Sequence, residues 1–390
     1  MSKRRFPLPF ILIGLGLALG VLFLWPAPDP LGELPYRFTP QTTLLTPQQK
    51  DLARKATLLV VGDRRGERYG AHLEGLRAKI LPLFRQMKMV NLSTQGHGLH
   101  RTLKKLEELD RLPLLVLFMG AHDEFMEKKF DLRQRPALLK SFLSSPKAAK
   151  SVGIRMLEKL GTLIPPLAKL LPPSPRWGYD KKIVPKERHP KPGDQQKELA
   201  LRFKTYELEI QRLIDLVKSQ NSRLILTTAP IPLETPPQNP CANASTPALE
   251  KELNLAEKQL ESGQSKRALL KLESLERTTL AHARLFTLLG KAYLARGKFA
   301  SAQKNFTKAH GFDCDPRGPS PVLNNIIRLK AQENHVPLVD VDQMVGLHLG
   351  RKKLFDRTGN LKEEFDGFVN DRLAKVINDL VTKTKSGSSP

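Results

Sequence analysis

The residues that could carry chemistry in this chain follow three apolar segments of its N-terminal half. Carboxylates, imidazoles and hydroxyls are the groups from which general acid–base and nucleophilic sites are built. Arg64 is different, because a guanidinium stays protonated at physiological pH and cannot attack a substrate. Because Arg64 directly follows Gly62-Asp63, the loop after the first apolar segment has no nucleophile at that position. The candidate residues are, in chain order, Asp63, Arg64, Ser93, Gly96, His97, His122 and Asp123.

Short apolar runs and the helical patterns between them predict how these residues are positioned. Five runs rich in Val, Leu and Ile have the length of buried strands, and apolar residues at helical spacing separate them. Strand, loop and helix in repeated order is typical of a doubly wound parallel sheet, so the predicted fold class is α/β. The loops after the strands then share one sheet edge. The predicted strands are 58–61, 89–92, 114–119, 223–228 and 335–341, and the predicted helices are 71–87, 99–109, 195–219, 324–333 and 365–381.

The order of these blocks resembles the SGNH (GDSL) hydrolase family. Gly62-Asp63 follows the first strand, the spacing Asn91 to Gly96 follows the second, and Gly120-Ala121-His122-Asp123 follows the third. The similarity extends over residues 57–125 and 223–380. The resemblance implies a flavodoxin-like five-stranded parallel sheet and, in active relatives, ester hydrolysis or acyl transfer.

The resemblance fails at the catalytic positions. Such enzymes place a serine after Gly-Asp, stabilise the oxyanion with a glycine and an asparagine, and take their base from a C-terminal Asp-x-x-His. Gly96 matches the glycine, but Arg64 replaces the serine and His122 replaces the asparagine. Asp356 is followed three residues later by Gly359. Losing nucleophile and base together removes the mechanism, so we expect a degenerate site in which Arg64 and His122 hold a carboxylate or another anion.

A relocated catalytic pair is the alternative. Ser93 with His97, His100 or His122 could form an unconventional esterase or O-acyltransferase acting on envelope glycans. We favour the degenerate site, because Ser93 equally suits a turn or a helix cap and the histidines suit partly exposed loops. The ligand-binding candidates are then Asp63, Arg64, Gly96, His97, His122 and Asp123.

A repeated pattern occupies residues 245–312. Ala268 recurs as Ala302 and Gly263 as Gly297, each 34 residues later. This period and its small residues resemble the tetratricopeptide repeat, and a membrane-anchored subset of SGNH-like proteins carries such an insertion before its last strand. Two repeats are fewer than a free-standing array needs, so the insertion should pack on the main domain or on a protein partner.

The N-terminus predicts a membrane anchor. Residues 1–5 are basic, 6–25 are uncharged and apolar, and 26–50 are rich in Pro, Thr and Gln, as in a stalk. The apolar run is long enough to cross a bilayer as a helix. A cleaved signal peptide is the alternative, but Trp-Pro-Ala-Pro at 25–28 is a poor cleavage site. Basic residues keep the N-terminus in the cytoplasm, so we expect a single-pass protein of a bacterial inner membrane with its C-terminal domain in the periplasm.

The net charge of +25 favours anionic partners, such as acidic glycans or lipid headgroups. Nucleic acid is not expected, because the domain is predicted to be exported and only 6% of residues are aromatic. Much of the charge lies in a basic insertion at 126–193, with 16 Lys/Arg against 5 Asp/Glu. Its Lys-rich helical pattern at 137–171 suits either an anionic membrane surface or a solvated helix face, and we favour the second.

The remaining chain completes the predicted organisation. The SGNH-like domain comprises 51–235 and 315–381, and composition predicts a disordered tail at 382–390. Cys241 and Cys314 lie at the two ends of the helical insertion, where they could form a disulfide or remain two thiols. No Cys-x-x-Cys motif and no histidine pair at helical spacing near carboxylates is present, so no metal or other cofactor is expected.

Overall fold

Five strands form one parallel sheet in the computed structural model, in the order β2-β1-β3-β4-β5. The chain order reverses between β1 and β3, as in doubly wound folds. This sheet confirms the predicted α/β class. The strands are β1 Leu58–Gly62, β2 Met89–Asn91, β3 Leu115–Met119, β4 Arg223–Thr227 and β5 Leu338–Val339. The structure describes residues 44–82, 85–127, 192–241, 246–279, 282–351, 353–356 and 359–385.

The central strands are buried on both faces. In the register of the sheet, Leu59 lies beside Val90 of β2 and Val116 of β3, and Leu117 lies beside Ile225 of β4. Every residue of β1 and β3 is buried. Because helices cover both faces of the sheet, these strands are continuous apolar runs rather than alternating ones.

Helices form two layers around the sheet. One face packs against α4, α5 and α10, through Leu103, Ile210 and Ile327 among others. The other face packs against α3, α11 and α12, with Leu76 and Leu373 in that core. The helices are α1 Pro47–Arg54, α2 Arg64–Tyr69, α3 Leu73–Lys79, α4 Leu99–Glu107, α5 Pro192–Ser219, α6 Pro247–Glu261, α7 Ser265–Glu276, α8 Ala283–Ala295, α9 Phe299–Gly311, α10 Pro321–Glu333, α11 Val341–Gly346 and α12 Glu363–Lys385.

Several boundaries differ from those predicted. Helix α1 begins inside the segment assigned to the stalk, because Thr46 and Gln49 cap each other's backbone N–H groups. Residues 64–69, expected as a loop, form α2 because the Asp63 side chain caps that helix. The helix predicted at 71–87 ends at Lys79. Helix α12 continues to Lys385, four residues into the predicted tail.

The four helices α6–α9 form the inserted region. They share an apolar core of their own, which includes Leu253, Leu272, Phe286 and Leu289. A smaller apolar cluster joins this region to the loops of the main domain. Its members are Ile231, Leu233, Ala302, Phe306 and Leu349. The inserted region therefore packs on the main domain, whereas its membership of the tetratricopeptide family stays a prediction.

A disulfide closes the base of this inserted region. Cys241 and Cys314, which the sequence left open as a pair or as two thiols, are bonded across a separation of 73 residues. The two segments that carry these cysteines also form backbone hydrogen bonds, with Cys241 N donating to Phe312 O at 2.8 Å and Cys314 N donating to Asn239 O at 2.9 Å. The entry and exit of the insertion are thus tied together.

The predicted anchor at 6–25 and nearly all of the basic insertion at 126–193 lie outside the described residues. The described residues belong to one compact unit, 41–128 with 187–390. Within the part of the chain that the structure describes, no helix combines the length and apolar character needed to cross a membrane.

Candidate functional site

The loops after β1, β2 and β3 meet at the carboxyl edge of the sheet. Gly62 ends β1 with a φ of +147°, and a Cβ there would overlap the backbone oxygen of Met119. Only glycine allows this close approach of the two strand ends. Thr94 N in the β2 loop donates to Gly62 O at 3.2 Å. The three predicted loops are therefore in direct contact.

Asp63 ties the β1 loop to the β3 loop. The residue is 1% exposed, and its Oδ2 accepts the backbone N–H groups of His122 at 2.6 Å and Asp123 at 2.8 Å. Oδ1 accepts the N–H of Arg65 at 3.0 Å. Burial, followed by the charge of Asp123, raises the pKa of Asp63 to about 7. Asp63 is thus a structural cap with an unusually basic carboxylate.

Asp123 makes the reciprocal tie and lies at the centre of the site. It is fully buried, and its Oδ2 accepts the backbone N–H groups of Arg64 at 3.2 Å and Gly96 at 2.8 Å. Its Oδ1 lies 3.2 Å from Nη2 of Arg64, at a distance typical of an ion pair. One carboxylate therefore collects donors from the β1 and β2 loops.

This arrangement changes the expected role of Arg64. Two backbone N–H groups that converge on one oxygen resemble the donors that stabilise an oxyanion in acyl transfer. Here that oxygen belongs to the chain's own Asp123. In this conformation Asp123 contacts both backbone donors and the guanidinium, so the expectation that Arg64 and His122 hold an external anion stays a prediction.

Both site histidines are neutral at physiological pH. Burial is the main cause that lowers the pKa of His122 to about 4, and the cations Arg64, Arg65 and Arg68 add to it against the opposing charge of Asp123. His122 is 9% exposed, and its Nδ1 has no hydrogen-bond partner. A base with such a low pKa accepts a proton poorly near pH 7.

His97 resembles His122 in its electrostatics. Burial first, then the charges of Lys105 and Arg101, lower the pKa of His97 to about 4. Its Nδ1 is buried without a hydrogen-bond partner. Lys105 was not among the residues predicted from the sequence. Its Nζ donates to Leu92 O at 2.7 Å and to Thr94 Oγ1 at 2.6 Å, and these bonds hold the loop after β2 in place. Burial lowers the pKa of Lys105 to about 8.

The relocated serine–histidine pair is not assembled. Ser93 Oγ is buried without a hydrogen-bond partner, and it packs against Gly66 of α2, where a Cβ would overlap it. His100 instead lies 3.1 Å from Glu209 through Nδ1. No histidine nitrogen of the described residues is hydrogen-bonded to the Ser93 hydroxyl.

Asp356 sits in a turn beside the site. Its Oδ1 accepts the N–H of Asn360 at 2.9 Å, and its Oδ2 lies 3.7 Å from Nη1 of Arg68 on α2. Gly359, at the expected histidine position, has a φ of +77° and open space around its Cα. Glycine is preferred in this conformation, so an imidazole there would strain the turn.

Sequence patterns did not predict the buried polar contacts that join α2 to α12. Arg65 is almost completely buried and forms an ion pair with the equally buried Asp366. His72 Nε2 lies 3.3 Å from the same carboxylate, and Tyr69 bonds Asn370. Local sequence carries no signal for this link, because the partners are about 300 residues apart. It fixes the helix that begins at Arg64.

Comparisons with known proteins leave the family open. No protein-family model matches the chain, and no curated protein matches it. One similar solved structure is a crystal structure described as a "putative acylhydrolase" from Bacteroides fragilis NCTC 9343, at 12% sequence identity. That alignment covers 86% of this chain and 94% of the other, with a TM-score of 0.31, which is too low to carry an argument. The chain is thus established as a parallel α/β protein whose β1, β2 and β3 loops converge on a buried carboxylate.

Proposed function

We propose that this chain is a hydrolase-like α/β protein that has lost acyl-transfer chemistry and acts as a binding module. The observation that carries the proposal is the position of Asp123, whose carboxylate accepts the N–H groups of Arg64 and Gly96. An oxyanion formed during ester hydrolysis needs such donors for itself. With an acidic side chain in their place, the developing negative charge would be repelled.

The other parts of the site support the same conclusion. Arg64 at the nucleophile position is a permanent cation, and Ser93 has no base within hydrogen-bond reach among the described residues. His122 is neutral but very weakly basic. An acyl-transfer site requires a nucleophile, a base and an oxyanion donor set together, and each of the three is compromised here.

The proposed location is the periplasmic face of a bacterial inner membrane. The basic start and apolar run at 6–25 support an anchor. The bond between Cys241 and Cys314 supports an oxidising compartment, because disulfides persist there and are rare in the cytoplasm. We propose the helices α6–α9 as the contact surface for a protein partner, and the basic segment 126–193 as a contact for acidic glycans or lipid headgroups.

A hydrolysis assay tests the loss of catalysis. Purified full-length chain should hydrolyse p-nitrophenyl acetate no faster than buffer and should not be labelled by a serine-directed fluorophosphonate. Ser93→Ala is the matched control, because it removes the one hydroxyl that the alternative mechanism needs. Turnover or labelling that disappears in Ser93→Ala would establish the alternative, an esterase or acyltransferase with relocated catalytic residues.

A further inference from the structure

We propose that the ligand of this site carries a carboxylate, and that Asp123 is a built-in competitor that occupies the same place until the ligand displaces it. The inference rests on the proposed binding function and names the chemical class of its ligand. It follows from how the chain already binds one carboxylate at the meeting point of three loops.

The donors around Asp123 contact both oxygens of one carboxylate. One oxygen receives two backbone N–H groups, from Arg64 at 3.2 Å and Gly96 at 2.8 Å. The other oxygen faces Nη2 of Arg64 at 3.2 Å. Charge-assisted donors of this kind are the strong ones, and a guanidinium suits the planar shape of a carboxylate. Donors and acceptor come from different loops, so the fold itself builds this receptor.

The closed conformation is poorly satisfied, which favours displacement of Asp123. Arg64 Nε, Ser93 Oγ and His122 Nδ1 are buried without hydrogen-bond partners. The Oδ1 of Asp123 also lacks a well-formed hydrogen bond, although it lies within ion-pair distance of Arg64. Buried polar groups without partners are costly and rare in folded proteins. A ligand that brings its own donors and acceptors beside its carboxylate would relieve this cost.

The neighbouring charge selects a carboxylate over a phosphate. Asp63 lies directly behind the receptor, where its Oδ2 accepts the backbone N–H of Asp123 at 2.8 Å. Above about pH 7, where Asp63 is ionised, this buried carboxylate repels a dianionic phosphate more strongly than a monoanionic carboxylate. Acetate and inorganic phosphate are therefore the two probes that separate the ligand classes.

The experiment removes the carboxylate of Asp123 by mutation and adds acetate, a free carboxylate, to the solution. At about pH 8, where Asp63 is ionised, sodium acetate at about 100 mM should raise the thermal midpoint of full-length Asp123→Ala by about 2–4 °C, as expected for a ligand that binds only the folded state. Sodium chloride and sodium phosphate of equal ionic strength should not. The wild-type chain should not respond to acetate, because its tethered carboxylate is present at a far higher effective concentration.

The double variant Asp123→Ala/Arg64→Leu is the matched control, since it keeps the cavity and removes the guanidinium. It should lose the acetate response. If Asp123→Ala does not fold in chloride, recovery of folded protein in acetate supports the inference, and no recovery in either salt overturns it. Equal responses to acetate in the wild type, the single variant and the double variant would also overturn it. The hydrolysis assay decides the proposed function separately, because it does not depend on acetate binding.

Discussion

Two arginine–aspartate networks lie at the carboxyl edge of the same sheet, and they differ in how completely they are satisfied. After β4 and β5, Arg328 bonds Asp340 at 2.7 Å and Asp342 at 2.8 Å, and Thr228 bonds Asp340 at 2.8 Å. None of these four side chains leaves a buried polar atom without a partner. After β1–β3, the loops around Asp123 leave several such atoms.

This difference separates a structural network from a candidate binding site. The network around Arg328 has the pattern expected of a structural network, because its donors and acceptors bond one another. The loops around Asp123 leave polar atoms of Arg64, Ser93 and His122 buried without hydrogen-bond partners. Unsatisfied buried polar groups in a folded protein call for a functional or strain-based explanation. The contrast can be tested by removing matched groups from each region.

The largest expected effect is that of replacing Asp63 on the pH dependence of the free energy of unfolding. Because the pKa of Asp63 rises from 3.8 to about 7, the folded state keeps a proton that the unfolded chain has already released. Asp63 therefore adds stability below about pH 4 and loses this contribution as the pH rises to about 7. Asp63→Asn should remove a change of up to about 4 kcal/mol over that interval.

The measurement is the difference in unfolding free energy between wild type and Asp63→Asn, from urea titrations across that pH range. The difference is needed because His122, with its lowered pKa, changes the wild-type curve in the opposite direction between pH 6.5 and about 4. As the pH rises, the free energy of unfolding of Asp63→Asn should increase relative to that of the wild type. A difference that does not change with pH would contradict the raised pKa of Asp63.

Asp340→Asn is the counterpart in the satisfied network. Burial opposes ionisation there, but hydrogen bonds from Arg328 and Gln343 outweigh it and hold the pKa of Asp340 below its usual value. This carboxylate contributes stability above its unfolded pKa and loses it as the pH falls through the folded one. Asp340→Asn should therefore be most destabilising near neutral pH. The same pH trend in both variants would break the comparison.

Removing the two arginines should give a smaller and unequal pair of effects, the larger at Arg328. Arg328→Leu leaves Asp340 and Asp342 without their main partner, and we expect a loss of about 3 kcal/mol, reduced from the value for fully buried pairs because Arg328 is partly exposed. Chemical denaturation measures it. An effect near zero would show that solvent already screens this network.

Arg64→Leu should cost less, about 1 kcal/mol, because Asp123 keeps the two backbone N–H groups that hold its Oδ2. The substitution leaves the backbone donor of residue 64 in place, so it removes only the ion pair. Chemical denaturation under the same conditions as for Arg328→Leu measures this loss, so that the two losses of stability can be compared. A larger loss at Arg64 than at Arg328 would mean that the site around Asp123 is the more structural of the two.

Local patterns of sequence determined much of the fold. The apolar runs of β1, β3 and β4 and the parallel sheet follow from side chains within a few residues of each other, which is the range over which strand and helix signals act. The clustering of Asp63, Gly96 and Asp123 at one edge follows from the same topology. The prediction that a catalytic serine and histidine are absent also rests only on the residues at those positions, Arg64 and Gly359.

Tertiary structure alone decided what the clustered residues do. The sequence placed Arg64 and Asp123 in one region, but their pairing depends on loops 59 residues apart in the chain, and the link from Arg65 to Asp366 joins residues 301 apart. The sequence also left undecided whether Cys241 and Cys314 are bonded, and their disulfide depends on the fold bringing the two ends of the helical insertion together. Hydrogen bonds and ion pairs depend on distances of a few tenths of an ångström, and only the packed chain sets those distances.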